Sequence, residues 1–242
     1  MIYVSLTTIP QRVKTLYKSV DSLLNQTKKP DKIFINIPEK YERFQEVIGQ
    51  DKLPKFSNEI VEINRCVDCG PGTKLLGSID KLKNDSLLIL ADDDNIYEDY
   101  MIEKFYHFYS IAPENAYSFY VHPLGNFGVG QGADGFAINT NFLKGIKKFY
   151  DLVVKDYKEL FLHDDLWISY FLYYFKKNKI LSLRDHLRKE KGKPSLIYKT
   201  HISAENLISL YGDNLKNSVK KRDEIAKTSF EYLVKKTKNL NF

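Results

Sequence analysis

The stretch Leu87-Leu88-Ile89-Leu90-Ala91-Asp92-Asp93-Asp94-Asn95-Ile96-Tyr97 sets the fold class. Five apolar residues, the length of a buried strand, run straight into three aspartates. Buried parallel strands read as continuous apolar runs, and sites in α/β proteins lie at the carboxyl ends of such strands. Carboxylates gathered there repel one another. A like-charged pair at about 4 Å costs roughly 1 kcal/mol in water and roughly 4 kcal/mol at an effective dielectric near 20. A bound cation, a raised pKa or full solvation relieves the repulsion. One reading is a Mg²⁺ or Mn²⁺ site that bridges to a diphosphate, because these hard cations take oxygen ligands. The other is a solvated acidic turn capping the next helix. The aspartates alone fit both, and the strand in front of them favours the metal.

Upstream, strand and helix alternate. Ile2 to Leu6 is apolar and ends in Thr7-Thr8-Ile9-Pro10-Gln11-Arg12, with Pro10 suited to a first helical turn. Leu16, Val20, Leu23 and Leu24 recur at helical spacing. Lys32 to Ile37 and Ile60 to Ile63 read as strands, with a short helix expected over Tyr41 to Gly49. Asp68-Cys69-Gly70-Pro71-Gly72-Thr73-Lys74 is a loop that leads into a helix expected over Leu75 to Leu82. This alternation predicts an α/β fold around a mostly parallel, doubly wound sheet.

Downstream, Glu98 to Ala112 reads as a helix, Tyr117 to Val121 as a strand and Asn139 to Tyr150 as a helix. Five glycines between Gly125 and Phe136 permit tight turns and close backbone approach to a ligand. Gly130 to Gly135 has GxGxxG spacing but does not follow the first strand, so it is no dinucleotide fingerprint. Leu166 to Phe175 is strongly apolar, which places Asp164 or Asp165 at a helix N-terminus, where a plain capping role is the simplest reading. Lys179 to Leu183 reads as a late strand, Ser195 to His201 as extended, and the chain from Ser203 as helical. Val219, Ile225, Ala226, Phe230, Leu233 and Val234 form an apolar stripe over Asn214 to Lys236 that packs on the core, with a partner or membrane surface as the lesser alternative.

The chain's 242 residues suit one domain, divided as 1–112, 113–203 and a helical extension 204–242. Its 43% apolar content excludes wholesale disorder. No apolar run approaches the roughly 20 residues that span a bilayer, and the N-terminus lacks a signal-peptide pattern, so cytoplasmic residence is expected. A net charge of +6 favours acidic partners, but the lysines are scattered. Arg184 to Lys193, the densest basic run, reads as an exposed loop or a lid. Cys66 and Cys69 lack the second pair that a structural zinc site needs and read as reduced, incidental thiols.

Taken in order, these pieces resemble a GT-A-fold glycosyltransferase, a class that moves sugars from nucleotide-sugar donors. Val4 to Arg12, Gly70 to Leu75 and Ala91 to Tyr97 look like a group of small bacterial and large-virus enzymes, over roughly residues 1 to 203. The resemblance implies a DxD motif at Asp92-Asp93-Asp94, with Asp94 on a Mn²⁺ or Mg²⁺ ion and Asp92 on the ribose or the metal. It implies that Thr7, Thr8 and Arg12 line the nucleotide pocket, together with Asp93. Lys74 would reach a phosphate or the donor sugar; as one lysine among many it is otherwise a surface residue. Gly132 to Gly135, including Asp134, would lie near donor sugar and acceptor. His163-Asp164-Asp165 resembles the xED motif of inverting enzymes, with aspartate in place of the usual glutamate at 164; Asp164 and Asp165 are both candidates, and the final Asp165 is the implied base. His201 falls where the fold often places a metal-binding histidine. The implied partners are a UDP-sugar donor and a glycan acceptor, not nucleic acid, with peripheral membrane or homodimer contact left open.

Three rivals follow from the same residues. A nucleotide-sugar nucleotidyltransferase usually carries a glycine-rich loop with Arg after its first strand, and Thr7-Thr8-Ile9-Pro10 has no glycine. A metal-dependent nuclease could use clustered aspartates. A silent nucleotide- or sugar-binding module would need no separate base candidate.

Overall fold

The computed structural model describes residues 1–44, 47–184, 186–187, 195–200 and 215–242. The order of elements is β1 (Ile2–Thr7), α1 (Leu16–Leu24), β2 (Lys32–Pro38), β3 (Val61–Cys66), α2 (Thr73–Leu76), β4 (Leu87–Leu90), β5 (Asn95–Tyr97), α3 (Met101–Ile111), β6 (Ala116–Ser118), β7 (Val121–Leu124), β8 (Phe127–Gly130), β9 (Phe136–Asn139), α4 (Ile146–Phe149), α5 (Lys158–Phe161), α6 (Asp164–Lys176), β10 (Ile180–Ser182), β11 (Ile197–Thr200) and α7 (Leu215–Thr237).

Among the described residues, seven strands form one sheet in the order β10-β6-β9-β4-β1-β2-β3. Only β9 runs antiparallel to its neighbours β4 and β6. Both faces are covered, which is why β4 reads as an unbroken apolar run and β1 as one interrupted only by Ser5 before its final Thr7. Val4, Leu6, Leu87 and Ile89 meet Leu16, Val20, Met101 and Phe105 on one face. Tyr3, Leu88 and Leu90 meet Phe149, Trp167 and Phe171 on the other.

The register positions the site. Thr7 pairs with Asn36, Pro38 with Cys66 and Ser5 with Leu90, so the loops after β1, β2, β3 and β4 leave from one edge. Because β9 runs the opposite way, with Phe136 opposite Leu90, the glycine-rich segment before β9 arrives at this same edge. A separate two-stranded antiparallel sheet, β5 with the distant β11, holds the turn after Asp94, and Thr200 pairs with Asn95.

Several local expectations give way to tertiary contacts. The helix expected over Tyr41 to Gly49 does not form among the described residues; a 3₁₀ turn follows at Gln50–Lys52. The buried Tyr41 hydroxyl instead donates to the Thr8 carbonyl (2.9 Å), and Arg65 donates to the Ile48 carbonyl (3.0 Å). The helix expected over Leu75 to Leu82 is one turn, α2, followed by a 3₁₀ turn at Ile79–Lys81. Gly77 lies so close to Asn36 that an added Cβ would sit 2.7 Å from its side chain. The strand expected over Tyr117 to Val121 splits into β6 and β7, and β7 pairs with β8 in a hairpin that periodicity does not reveal. The helix expected over Asn139 to Tyr150 is broken into pieces: Asn139 ends β9 and caps a 3₁₀ turn at Thr140–Leu143, and after Gly145 (φ +89°) α4 runs into a π-helical turn at Tyr150–Val154.

The last helix packs on the core as its stripe predicts. Phe230 stacks on Phe127 (5.6 Å between centroids), Tyr232 stacks on Tyr157 (4.1 Å), and Leu233 is buried. No described helix is long and apolar enough to cross a membrane. Of the basic run, 185 and 188–193 lie outside the described residues, while Arg184 sits over the Tyr120 ring.

Candidate active site

The loop after β4 carries the three aspartates, and the structure gives each a different environment. Asp93 turns inward and is 5% exposed. Thr8 Oγ1 donates to it at 2.6 Å and Arg12 at 2.9 Å, while Ser19 Oγ donates to its carbonyl (2.8 Å). Asp93 thereby ties the acidic turn to the β1–α1 connection. Arg12 also lies 3.1 Å from Asp94. Burial opposes the Arg12 charge, but Asp93 and Asp94 outweigh it and hold the guanidinium pKa above its ordinary value. Thr7 Oγ1 donates to the Asn36 carbonyl (2.8 Å), an inter-strand tie at the same edge.

Asp94 and Asp92 face the cleft with side chains 24% and 30% exposed. Burial, then the charge of Asp92, pushes the Asp94 carboxyl up to about 6 despite Arg12. Asp134, on the glycine-rich segment, is also pushed up to about 6, by burial and then by Asp92. The mouth therefore carries more carboxylate charge than its neighbours neutralise.

Lys74 lies between this cluster and the second acidic pair. Its ammonium is buried, 2.6 Å from Asp92 Oδ1 and 3.2 Å from Asp164 Oδ2. Burial opposes its charge, but Asp164 and Asp92 outweigh that and hold its pKa well above the usual value. A polar network under α2 sets its position. Ser5 Oγ donates to the Lys74 carbonyl (2.5 Å), shares a hydrogen bond with Ser78 Oγ (2.9 Å) and accepts one from Asn36 (2.9 Å).

Asp164 and Asp165 open α6. Asp164 is buried, and its Oδ2, although near Lys74, has no hydrogen bond. Asp165 keeps a partly exposed edge, and its Oδ1 accepts from the Gly132 amide (2.9 Å). Burial, then the charge of Asp164, holds the Asp165 pKa well above the carboxylate range, with Lys74 pulling it back. A Cβ on Gly132 would lie 3.0 Å from Asp165 Oδ1 and 3.3 Å from Lys74 Nζ, so a side chain there would push both groups from their places.

Two residues that periodicity does not single out hold the walls together. The Tyr97 hydroxyl accepts from the Asp92 amide (2.7 Å) and donates to the Ala133 carbonyl (3.2 Å). Asn95 donates to the same carbonyl (3.0 Å). Tyr97 is buried, so its hydroxyl has to be paired, and it joins the acidic turn to the glycine-rich segment. A buried Tyr three residues past an acidic turn is a legible signal only once the turn is read as a wall of the candidate site.

The donor set can be tested against a divalent cation. Among the described residues, no group of three His, Cys, Asp or Glu side chains is arranged to hold a metal unaided. His201 lies outside the described residues. Asp92 and Asp94 offer two hard oxygen ligands in an over-acidic mouth. This fits Mg²⁺ or Mn²⁺, which bind through one or two carboxylates and complete their shell with water and substrate phosphates.

A cavity of about 1060 Å³ lies elsewhere, lined by Arg43, Cys66, Asp68, Lys147, Tyr150 and Phe161 among others and by none of the aspartates above. Cys66 and Cys69 are free, and burial pushes their thiols up to about 12 and about 11, so they are poor nucleophiles.

No family model and no curated protein matches the chain. Among solved structures, residues 1–349 of S. aureus TarS in complex with UDP-GlcNAc superpose with a TM-score of 0.53 at 12% identity, over 96% of this chain and 66% of that one. A 4-diphosphocytidyl-2C-methyl-D-erythritol synthase from Anaerococcus prevotii superposes with a TM-score of 0.50 at 11% identity, over 96% of each chain. The fold is GT-A-like. The chain spans about two thirds of the TarS fragment, and identities this low speak to the fold alone. In this GT-A-like frame the acidic turn, Lys74, the glycine-rich segment and the start of α6 share one edge of the sheet.

Proposed function

We propose that the protein transfers a sugar from a nucleoside diphosphate sugar, with UDP as the first choice, to a hydroxyl of a glycan acceptor, with inversion at the anomeric carbon. The observation that supports this is the pairing of two distinct acidic centres across Lys74. One is the over-acidic mouth of Asp92, Asp94 and Asp134; the other is Asp165, held by the Gly132 amide. A diphosphate–metal complex suits the first centre, and a hydroxyl that must lose a proton suits the second.

In this reading Asp94 and Asp92 hold the cation, with His201 as a third ligand. The bound cation neutralises the diphosphate as negative charge develops on it. Thr7, Thr8, Arg12 and Asp93 shape the wall on the nucleotide side, and Gly132 and Asp134 the wall toward the transferred sugar. Asp165 removes the acceptor proton within the transition state, because a sugar hydroxyl is too weak an acid to ionise first. Its raised pKa makes it a stronger base than an ordinary surface carboxylate. Attack from the face opposite the leaving group inverts the configuration.

Calorimetric titration of UDP, GDP, CDP and dTDP, each with Mn²⁺ and with chelator, tests the donor site. Metal-dependent binding of one diphosphate, abolished by Asp94→Ala, is the expected result. A folded protein that binds none of them refutes the proposal. Nucleotidyl transfer is the second reading, favoured by a superposition that covers 96% of both chains. Its signature is pyrophosphate release from a nucleoside triphosphate and a sugar phosphate, which glycosyl transfer does not produce.

A further inference from the structure

Lys74 is buried between two acidic centres and serves them unequally. It makes a short hydrogen bond to Asp92 (2.6 Å), while Asp164 Oδ2, 3.2 Å away and 6% exposed as a residue, is left without one. Asp164 Oδ2 thus keeps the ion pair without hydrogen-bond geometry, an unfavourable arrangement for a buried acceptor, and an ammonium has three protons to offer from one pivot. The nearest unmet demand for a Lys74 proton is therefore Asp164. What holds the ammonium on the other side is its short hydrogen bond to Asp92.

From this geometry we infer that Lys74 is a positioning residue that couples the two centres. With the donor site empty it sits on Asp92; when a cation–diphosphate complex engages Asp92, it moves onto Asp164 Oδ2 and orders the start of α6 around Asp165. The device makes donor binding precede a competent base, and it limits idle attack by water when no donor is present. Gly132 leaves room for the movement, since any side chain there would meet both Asp165 and Lys74. The inference rests on the glycosyl-transfer reading above.

A double-mutant cycle read by Mn²⁺-dependent UDP binding tests it. Asp164→Asn removes the charge that makes the alternative seat attractive, so Lys74 stays on Asp92 and competes with the cation. UDP·Mn²⁺ affinity should weaken about tenfold, within the 5–150-fold span usual for coupled sites. Lys74→Gln should keep or tighten that affinity while kcat falls, with the donor KM little changed. In the Lys74→Gln background, Asp164→Asn should shift affinity by less than about twofold. Equal weakening in both backgrounds is a plain field effect of the lost charge and overturns the coupling. Loss of UDP binding in Lys74→Gln makes Lys74 a phosphate ligand and overturns it too. If Lys74→Gln does not fold, a crystal structure of the wild type with Mn²⁺ and UDP reads the same point. Lys74 Nζ hydrogen-bonded to Asp164 Oδ2 supports the inference, and Lys74 still on Asp92 overturns it. A wild type that binds no nucleoside diphosphate fails at the donor site itself, an outcome distinct from the others that removes both proposals.

Discussion

Replacing Asp134 with asparagine should make the protein more stable at neutral pH, although Asp134 lines the candidate site. Burial and the charge of Asp92 raise its pKa from 3.8 to about 6. Between these two values the native state binds more protons than the unfolded chain, so stability falls as pH rises through this window. The full penalty is present above about pH 6. A shift of roughly two units corresponds to about 3 kcal/mol. Asp134 is only partly buried, and solvent screening reduces this to about 1–2 kcal/mol. For a domain of this size each kcal/mol moves Tm by about 2–4 °C. Asp134→Asn keeps the shape of the side chain and removes the charge. Calorimetric melting in chelator at about pH 7.5 should show Tm up by roughly 2–8 °C, and at about pH 3, below both pKa values, almost no change. An unchanged or lower Tm at neutral pH would refute the charge argument. An equal gain at both pH values would also refute it, because the effect would then lie in packing or in the unfolded chain.

Three further outcomes follow from the same contacts. Gly132→Ala forces a methyl against Asp165 and Lys74, so kcat should fall about 100-fold with the fold intact by circular dichroism; near wild-type turnover would show that the close approach is unimportant. Tyr97→Phe leaves the Asp92 amide without its acceptor and removes one donor from Ala133, and urea titration should show a loss of about 1–3 kcal/mol with an unchanged m-value. As the proposed base, Asp165 would act ionised, and its pKa is held up by burial and by Asp164; kcat should therefore rise with pH through a limb above the ordinary carboxylate range of about 4, and Asp165→Asn should remove both the limb and the activity. A limb near 4 in the wild type would assign the base to a different group.

Much of the N-terminal half was open to reading because strands buried on both faces leave a simple mark. Ile2 to Leu6, Lys32 to Ile37 and Leu87 to Ala91 are mostly apolar, interrupted only by Ser5, Lys32 and Asn36, and each ends in polar or proline-containing sequence at the edge that carries the candidate site. The glycines before Phe136 signalled close approach, though not to what. Where the chain's local preference and its tertiary contacts disagreed, the contacts prevailed. Tyr41 and Ile48 have helical company in sequence but are pinned individually, one through Thr8 and the other through Arg65. The β7–β8 hairpin, built on Pro123, Gly125 and Gly128, carries almost no alternation to betray it.

The sequence by itself determined the fold class and the residue types of the site, because both are written in short-range pattern: an apolar run, then carboxylates, repeated at the start of a helix. Only the tertiary structure gave each carboxylate its own environment. Three consecutive aspartates look equivalent along the chain, yet Asp93 is spent inside against Thr8 and Arg12 while Asp92 and Asp94 face the cleft. Lys74 is one lysine among many until the register of β1, β3 and β4 and the antiparallel β9 bring Asp92, Asp164 and Gly132 around it. The physical reason is that charge interactions depend on distance and burial, and for residues 74, 92, 132 and 164 both are set by the packing of the sheet and α6 rather than by their spacing in the chain.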